Sequence, residues 1–89
     1  MKIKQSTRFK CDLKTARKRG LDMDLLDAVI GLITKKIPLP TKYQDHPLTG
    51  NYAGFRECHV APDWLLIYLI ENENVVLYLL RTGTHSDLF

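Results

Sequence analysis

The sequence predicts an α+β fold, in the order β-α-α-β-β-β, with a mainly antiparallel twisted sheet packed on an N-terminal helical hairpin. Three observations point there. Two apolar runs, Trp64 to Ile70 and Val75 to Leu80, are separated by Glu71-Asn72-Glu73-Asn74. Each run has the usual strand length of ~5–7 residues, and together they read as a β-hairpin. The N-terminal part instead repeats its apolar residues with a helical period. Finally, 89 residues with 45% hydrophobic and 26% charged content make one ordered domain, residues 1–89, with a core of useful size.

Taken in order, residues 2–6 (Lys-Ile-Lys-Gln-Ser) read as a short strand, with Ser6 or Thr7 as the N-cap of a helix. Phe9, Leu13 and Ala16 follow at i, i+4 and i+7, while Lys10, Lys14, Arg17 and Lys18 fall mainly on the other faces. Gly20 is placed to stop this helix. Asp22 or Asp24 opens a second, striped by Leu25, Leu26, Val29, Ile30 and Ile33 and ended by Pro38. Lys35 and Lys36 complement its C-terminal dipole. Residues 37–54 form one long loop with three prolines and two glycines, pinned to the body by Leu39, Tyr43, Leu48 and Tyr52. A loop longer than ~15 residues in a compact domain tends to be functional. Strands are expected at 55–60, 64–70 and 75–81, with Trp64, Tyr68 and Tyr78 in the core. Thr82 to Phe89 form a short turn or helix.

The charge is uneven. Residues 1–20 hold eight Lys/Arg and one Asp, a balance of +7, which leaves −4 for the other 69 residues against a net +3. Such a run is either a solvated basic helix face or an electrostatic footprint for a polyanion or an acidic protein. Lys10, Lys14, Arg17, Lys18 and, further on, Arg56 are the candidate RNA- or ribosome-binding residues. No apolar run reaches the ~18–20 residues of a membrane span, and Met1 to Gln5 is too polar for a secretory leader. Cys11 and Cys58 make no disulfide framework, so the expectation is a reduced, cytoplasmic protein with two buried or half-buried thiols.

All the histidines, His46, His59 and His85, fall in the long loop and the C-terminal third. Asp63 enters one hairpin strand and Arg81 leaves the other, so antiparallel pairing puts both at one end of the sheet. His59 precedes the Ala61-Pro62 connection, and His85 follows Arg81 by four residues. Each has an ordinary alternative: Asp63 as a turn cap, Arg81 as a partner of Glu57 or Asp63, Phe89 as a loose terminus. Together they suit RNA cleavage without a metal. There the 2′-hydroxyl attacks the adjacent phosphorus, and the step needs a base, an acid and a cation for the phosphorane. Histidine, with a reference pKa of ~6.5, serves as either acid or base near neutrality. Arginine offers a fixed fork to phosphate oxygens. A zinc site built from the histidines and a cysteine finds no C-x₂-C or H-x₃-H spacing, and no phosphate-binding glycine loop or nucleophile elbow is present.

Asp45-His46-Pro47-Leu48-x-Gly50, Phe55-Arg56-Glu57-Cys58-His59-Val60-x-Pro62-Asp63-Trp64-Leu65-Leu66-Ile67-Tyr68 and Arg81-Thr82-Gly83-Thr84-His85-Ser86-x-Leu88-Phe89 resemble the YafQ-type toxins, a branch of the RelE/ParE superfamily of bacterial type II toxin–antitoxin systems. The resemblance covers nearly the whole chain. It implies a ribonuclease that cuts messenger RNA in the ribosomal A site, with no cofactor. It also implies neutralisation by an acidic, partly disordered antitoxin of ribbon-helix-helix type, through which alone operator DNA would be bound. The matching functional positions are His46, His59, Asp63, Arg81, His85 and Phe89. Glu57 stands where relatives carry Asp, which leaves its role open. Two other classes remain: a non-catalytic gyrase inhibitor like the ParE branch, and a protein-binding module that docks an acidic partner through the basic helix.

Overall fold

The computed structural model describes residues 1–89. Its elements are β1 (Lys2–Gln5), α1 (Thr7–Lys18), α2 (Met23–Thr34), β2 (His46–Pro47), β3 (Arg56–Ala61), β4 (Trp64–Glu71), β5 (Val76–Gly83) and α3 (His85–Leu88). The five strands form one sheet in the order β1-β5-β4-β3-β2. β1 runs parallel to β5, and every other pair is antiparallel. The α+β expectation holds. The long loop is more structured than expected: it holds 3₁₀ turns at Thr41–Tyr43 and Gly50–Tyr52, and between them β2, which adds to the edge of β3.

The helices end where local chemistry ends them. The Ser6 hydroxyl accepts the Phe9 N–H and caps α1. Gly20, at φ +74°, closes it with bonds from Gly20 N–H to the Arg17 carbonyl and from Leu21 N–H to that of Ala16. Asp22 caps α2 through the Asp24 N–H.

Alternation along the strands divides the sheet. Cys58, Val60, Trp64, Leu66, Tyr68, Leu77 and Leu79 join Phe9, Ala16, Leu26, Val29 and Ile33 in the main core beneath the helices. Leu65 and Ile67 point to the opposite face, where Leu88 of α3 and the side chains of Leu48, Tyr52, Phe55 and Leu80 make a smaller cluster. The four pinning residues of the long loop thus divide between the faces: Leu39 and Tyr43 pack on the main core, Leu48 and Tyr52 on the small one. Trp64 and Tyr68 are core residues as expected. Tyr78 is not: it lies half-buried, outside both clusters. Cys58 is buried, whereas Cys11 is exposed on α1, contrary to the expectation of two covered thiols.

Beyond Leu79, β5 has no strand on its outer edge, because β1 pairs only as far as Gln5. α1 takes that place. The Ser6 hydroxyl donates to the Leu80 carbonyl at 2.6 Å, and the Asp12 carboxylate accepts the Thr82 N–H at 3.1 Å. Exposed edge groups are thus satisfied. Thr82, buried itself, donates to the Leu65 carbonyl and accepts the Trp64 indole N–H. A β-bulge lies just before it: Tyr68 pairs with Leu79 but Ile67 pairs with Arg81, so Leu80 is an extra residue on β5. Without it Arg81 would stand opposite Leu66, on the helix side. Bulges commonly re-aim a side chain in this way.

Open space surrounds Gly20, so a Cβ there meets no atom and only backbone strain opposes it. Gly20→Ala is expected to lower unfolding free energy by about 1–2 kcal/mol, read as a shifted denaturation midpoint with unchanged m-value.

Candidate active site

Glu57 and His59 occupy alternate positions on β3, so they share the face opposite Cys58 and Val60. Register extends each into a row. His46, Glu57, Ile67 and Arg81 are successive partners across β2, β3, β4 and β5. His59, Leu65 and Gly83 form the next row. The two-residue turn Pro62–Asp63 and the start of α3 close that end of the sheet.

The three imidazoles gather here. His59 is the middle ring, with centroids 6.5 Å from His46 and 5.7 Å from His85. Glu57 lies beneath, its side chain only 6% exposed. Its Oε1 is 3.5 Å from His46 Nε2 and 3.6 Å from His59 Nε2. The Gln44 carbonyl accepts from His46 Nδ1 at 2.6 Å, which assigns the proton to Nδ1 and turns Nε2 toward Glu57. Gln44 is itself left-handed, at φ 50° and ψ 42°. This conformation costs a non-glycine residue about 1–2 kcal/mol and aims the carbonyl at His46.

His85 is held separately. Its Nδ1–H donates to Asp63 Oδ1 at 2.7 Å, and its backbone N–H reaches the same oxygen at 3.1 Å. These bonds, the side-chain one first, hold the Asp63 carboxyl below its ordinary range. With Nδ1 committed, His85 Nε2 is left for a substrate. α3 is anchored by a capping box between Thr84 and Asp87, and by a bidentate bond from Arg19 to Asp87 at 2.6 and 3.1 Å. Gly83 leaves room for the capping box: a Cβ there would come within 2.8 Å of Asp87 Oδ2 and displace that carboxylate.

Four of the residues expected from sequence, His46, His59, Asp63 and His85, are therefore brought together. Arg81 shares a register row with Glu57, but its guanidinium pairs with Asp12, through Nε at 2.8 Å and Nη2 at 3.1 Å, and not with Glu57 or Asp63. The Phe89 ring packs edge-on against Tyr52 at 5.4 Å, and the Tyr52 hydroxyl donates to the Leu88 carbonyl. Phe89 thus secures the C-terminal helix and is ordered by packing, although 64% exposed. Lys10, Lys14, Arg17 and Lys18 are exposed on α1. Arg56 is already engaged: Nε and Nη2 bond Asp45 at 3.3 and 3.0 Å, and the Tyr68 hydroxyl donates to the same carboxylate at 2.5 Å.

Sequence reasoning missed three supports. Asp45, the residue before His46, ties the loop to β3 and β4, Asp12 tethers Arg81, and the Gln44 carbonyl orients His46. None carries a local signal, because each works through a partner distant in sequence or through backbone conformation. Glu57 did carry one, since it stands two residues before His59 on a strand. Cys58 contributes no nucleophile: burial pushes its thiol up to about 12. The carboxylate of Glu57 and the imidazoles of His59 and His85 lie within 4.8 Å of one another, a donor set that could also hold a metal ion.

Two outcomes follow from these contacts. Asp45→Asn removes the charge that Arg56 and Tyr68 share, at an expected cost of about 1–3 kcal/mol in denaturant unfolding, with broadened His46 ring resonances. Asp63 and Asp87 are both held below their ordinary range by bonds made only in the folded state. Their stabilisation is fully present above the unfolded carboxylate pKa of ~4 and is lost as pH falls through the lower folded values. Protection factors of the α3 amides, which correct for the slower intrinsic exchange in acid, should therefore fall upon acidification below about pH 4 before those of the β-sheet core do.

The chain as a whole is similar to known proteins. A family model described as bacterial toxin of type II toxin-antitoxin system, YafQ, matches residues 1–89. The mRNA interferase toxin YafQ of Escherichia coli K12 is 44% identical over 88 residues, which cover 98% of this chain and 94% of that protein. A metal-bound toxin from Helicobacter pylori superposes with a TM-score of 0.92 at 46% identity, covering 100% of this chain and 99% of that one. The E. coli DinJ–YafQ toxin–antitoxin complex superposes at 0.88 with 43% identity, covering 98% and 94%. The chain belongs to the YafQ family, within the RelE/ParE superfamily of bacterial type II toxins.

Proposed function

We propose that this toxin is a ribosome-dependent mRNA endoribonuclease. The observation that carries the reading is the convergence of His46, His59 and His85 with Glu57 and Asp63 at one end of the sheet. The E. coli relative is an mRNA interferase. The cluster holds proton-transfer groups at both ends: His85 backed by Asp63, and His46 with His59 over Glu57. One group takes the proton of the 2′-hydroxyl as its oxygen bonds phosphorus. The other gives a proton to the 5′-oxygen as the P–O5′ bond breaks, leaving a 2′,3′-cyclic phosphate. Arg81 supplies positive charge to the phosphorane. Asp12 holds its Nε and Nη2, which fixes the guanidinium and leaves the Nη1 end to donate. Phe89 keeps α3, and with it His85, in place.

The regulatory partner is a cognate antitoxin, as DinJ is for the E. coli toxin. It is acidic and partly disordered when free, suited to the exposed basic face of α1, and of ribbon-helix-helix type. Operator DNA is engaged only through that complex. The message and the ribosome are the other partners, met through Lys10, Lys14, Arg17 and Lys18. No helix is long and apolar enough to cross a membrane, and the place of action is the cytoplasm.

A second reading rests on the Glu57–His59–His85 donor set and on the metal-bound H. pylori toxin. The residues fit a transition ion, with two imidazoles and one carboxylate. A bound ion would supply Lewis acidity. It would also occupy the imidazole lone pairs on which proton transfer depends, so in this chain it would inhibit. Cleavage that is unchanged by chelator and suppressed by added zinc supports the acid–base reading, and loss of cleavage on chelation opposes it.

The direct test is single-turnover cleavage of message on programmed ribosomes. His85→Ala is expected to slow it by about 10²–10⁴-fold with unchanged circular dichroism. His46→Ala should also be severe. Arg81→Lys should recover only part of the Arg81→Ala loss, because an ammonium lacks the guanidinium fork. If His46, His85 and Arg81 variants all cut within about threefold of wild type, the site is misassigned and the non-catalytic alternatives stand.

A further inference from the structure

Beside His59 a groove of about 450 Å³ opens between α2, the Thr41–Tyr43 turn and the end of β3. Leu25, Tyr43 and Pro62 provide its apolar surface, and Lys42 and Gln44 its polar edge. Its size falls within the ~300–1,000 Å³ usual for small-molecule clefts and suits one nucleobase with its sugar. Leu25 is 45% exposed, so its side chain is accessible from the groove.

We propose that this groove is a nucleobase subsite, holding the base next to the scissile phosphate and setting base preference. The inference rests on the ribonuclease reading and deepens it. Continuity is the first argument. His59 is both the middle ring of the catalytic cluster and a wall of the groove, so a phosphate at the cluster places its neighbouring nucleoside at the groove mouth. Chemistry is the second. Tyr43 walls the groove with a ring that packs on the core and carries the Lys42 ammonium over it, so a base is held against the ring edge and that cation. The Gln44 amide presents one donor and one acceptor edge, the pattern that discriminates bases. Charge is the third. The only charged residue lining the groove is Lys42, whose ammonium lies 5.0 Å from the Tyr43 ring, where it favours a polyanionic strand over an acid-poor apolar peptide.

Gln44 links this subsite to catalysis. Its left-handed backbone turns the carbonyl to His46 while its side chain edges the groove. One residue thereby couples the base that is read to the imidazole that acts.

The experiment uses the full-length toxin on ribosomes programmed with four messages that differ only at the base beside the cleaved bond. Gln44→Gly suits the left-handed position and keeps the carbonyl, removing the side chain alone. It is expected to collapse the ratio of kcat/KM between the best and worst base. Tyr43→Ala is expected to lower kcat/KM for all four messages by about 3- to 10-fold through loss of the aromatic wall. Tyr43 also packs on the core, so Gln44→Gly carries the test if that variant fails to fold. Cleavage by both variants within about threefold of wild type, with the base preference intact, overturns the subsite while leaving the ribonuclease standing. Unchanged cleavage with weakened binding of the purified antitoxin overturns it in favour of a protein-docking groove. Absence of cleavage by the wild type fails the ribonuclease reading itself.

Discussion

The pairing register between β3 and β4 is the constraint on which the site depends. Cys58 and Val60 fill the core beneath the helices, so Glu57 and His59 must face the other way. A one-residue slip would bury an imidazole and a carboxylate under α1 and α2 and expose two core side chains, which is prohibitively unfavourable. Packing on one face therefore positions chemistry on the other. The same logic reaches Arg81 only because of the extra residue at Leu80, which shifts the row so that Arg81 aligns with Ile67 and Glu57. The core needs a particular order of side chains, the site needs another, and the bulge reconciles them.

Around that frame three of the candidate catalytic side chains have an external brace. Asp63 fixes the His85 ring, Asp12 the Arg81 fork, the Gln44 carbonyl the His46 ring. Three of the aspartates that brace the site come from regions remote from the group they serve: Asp12 from α1, Asp45 from the loop, Asp87 from the C-terminal helix. Fixed partners lower the reorganisation needed when charge develops. They also explain why so small a domain orders its C-terminus. α3 has four residues, too few to be stable alone, and is held by Leu88 packing, the Arg19–Asp87 pair and the Tyr52–Phe89 contact.

Much of this was legible in the sequence, for reasons that are local. Strand length and the polar Glu71–Asn74 break announced the hairpin, and its tip uses left-handed Asn72, Glu73 and Asn74. The capping residues and Gly20 marked α1 and α2 correctly. The gathering of His59, Asp63 and His85 followed from antiparallel pairing, whereas His46, on a stretch read as loop, joined them through the resemblance. What was not legible depends on tertiary partners. β2 is two residues long and contains a proline, too little to carry a pattern of its own; it exists because β3 has an open edge. Arg56 looked like a free cation, and Arg81 like a phosphate ligand or a partner of Glu57 or Asp63, because nothing in their neighbourhood shows that Asp45 and Asp12 fold onto them. Tyr78 has the same composition around it as Tyr68, yet only Tyr68 faces the helices.

The openness of the site bears on how it can work. His85 and Asp63 are 55% and 65% exposed, while His59, Arg81 and Glu57 are only 17%, 13% and 6% exposed. At the exposed end of the site water competes for the hydrogen bonds and screens the charges, so the imidazoles alone give little electrostatic preorganisation there. Most of the remaining advantage must come from holding the strand in line, with the 2′-oxygen, phosphorus and leaving oxygen aligned between the two ends of the cluster. The protein has a groove for one base and a row of donors, but no second wall to clamp a flexible RNA. A ribosome that presents a codon in an extended, ordered strand supplies that wall and excludes solvent at the same time. On the proposed function, dependence on the ribosome is then a consequence of the exposed sheet face: the fold carries the proton-transfer groups, and the translating complex carries the substrate geometry.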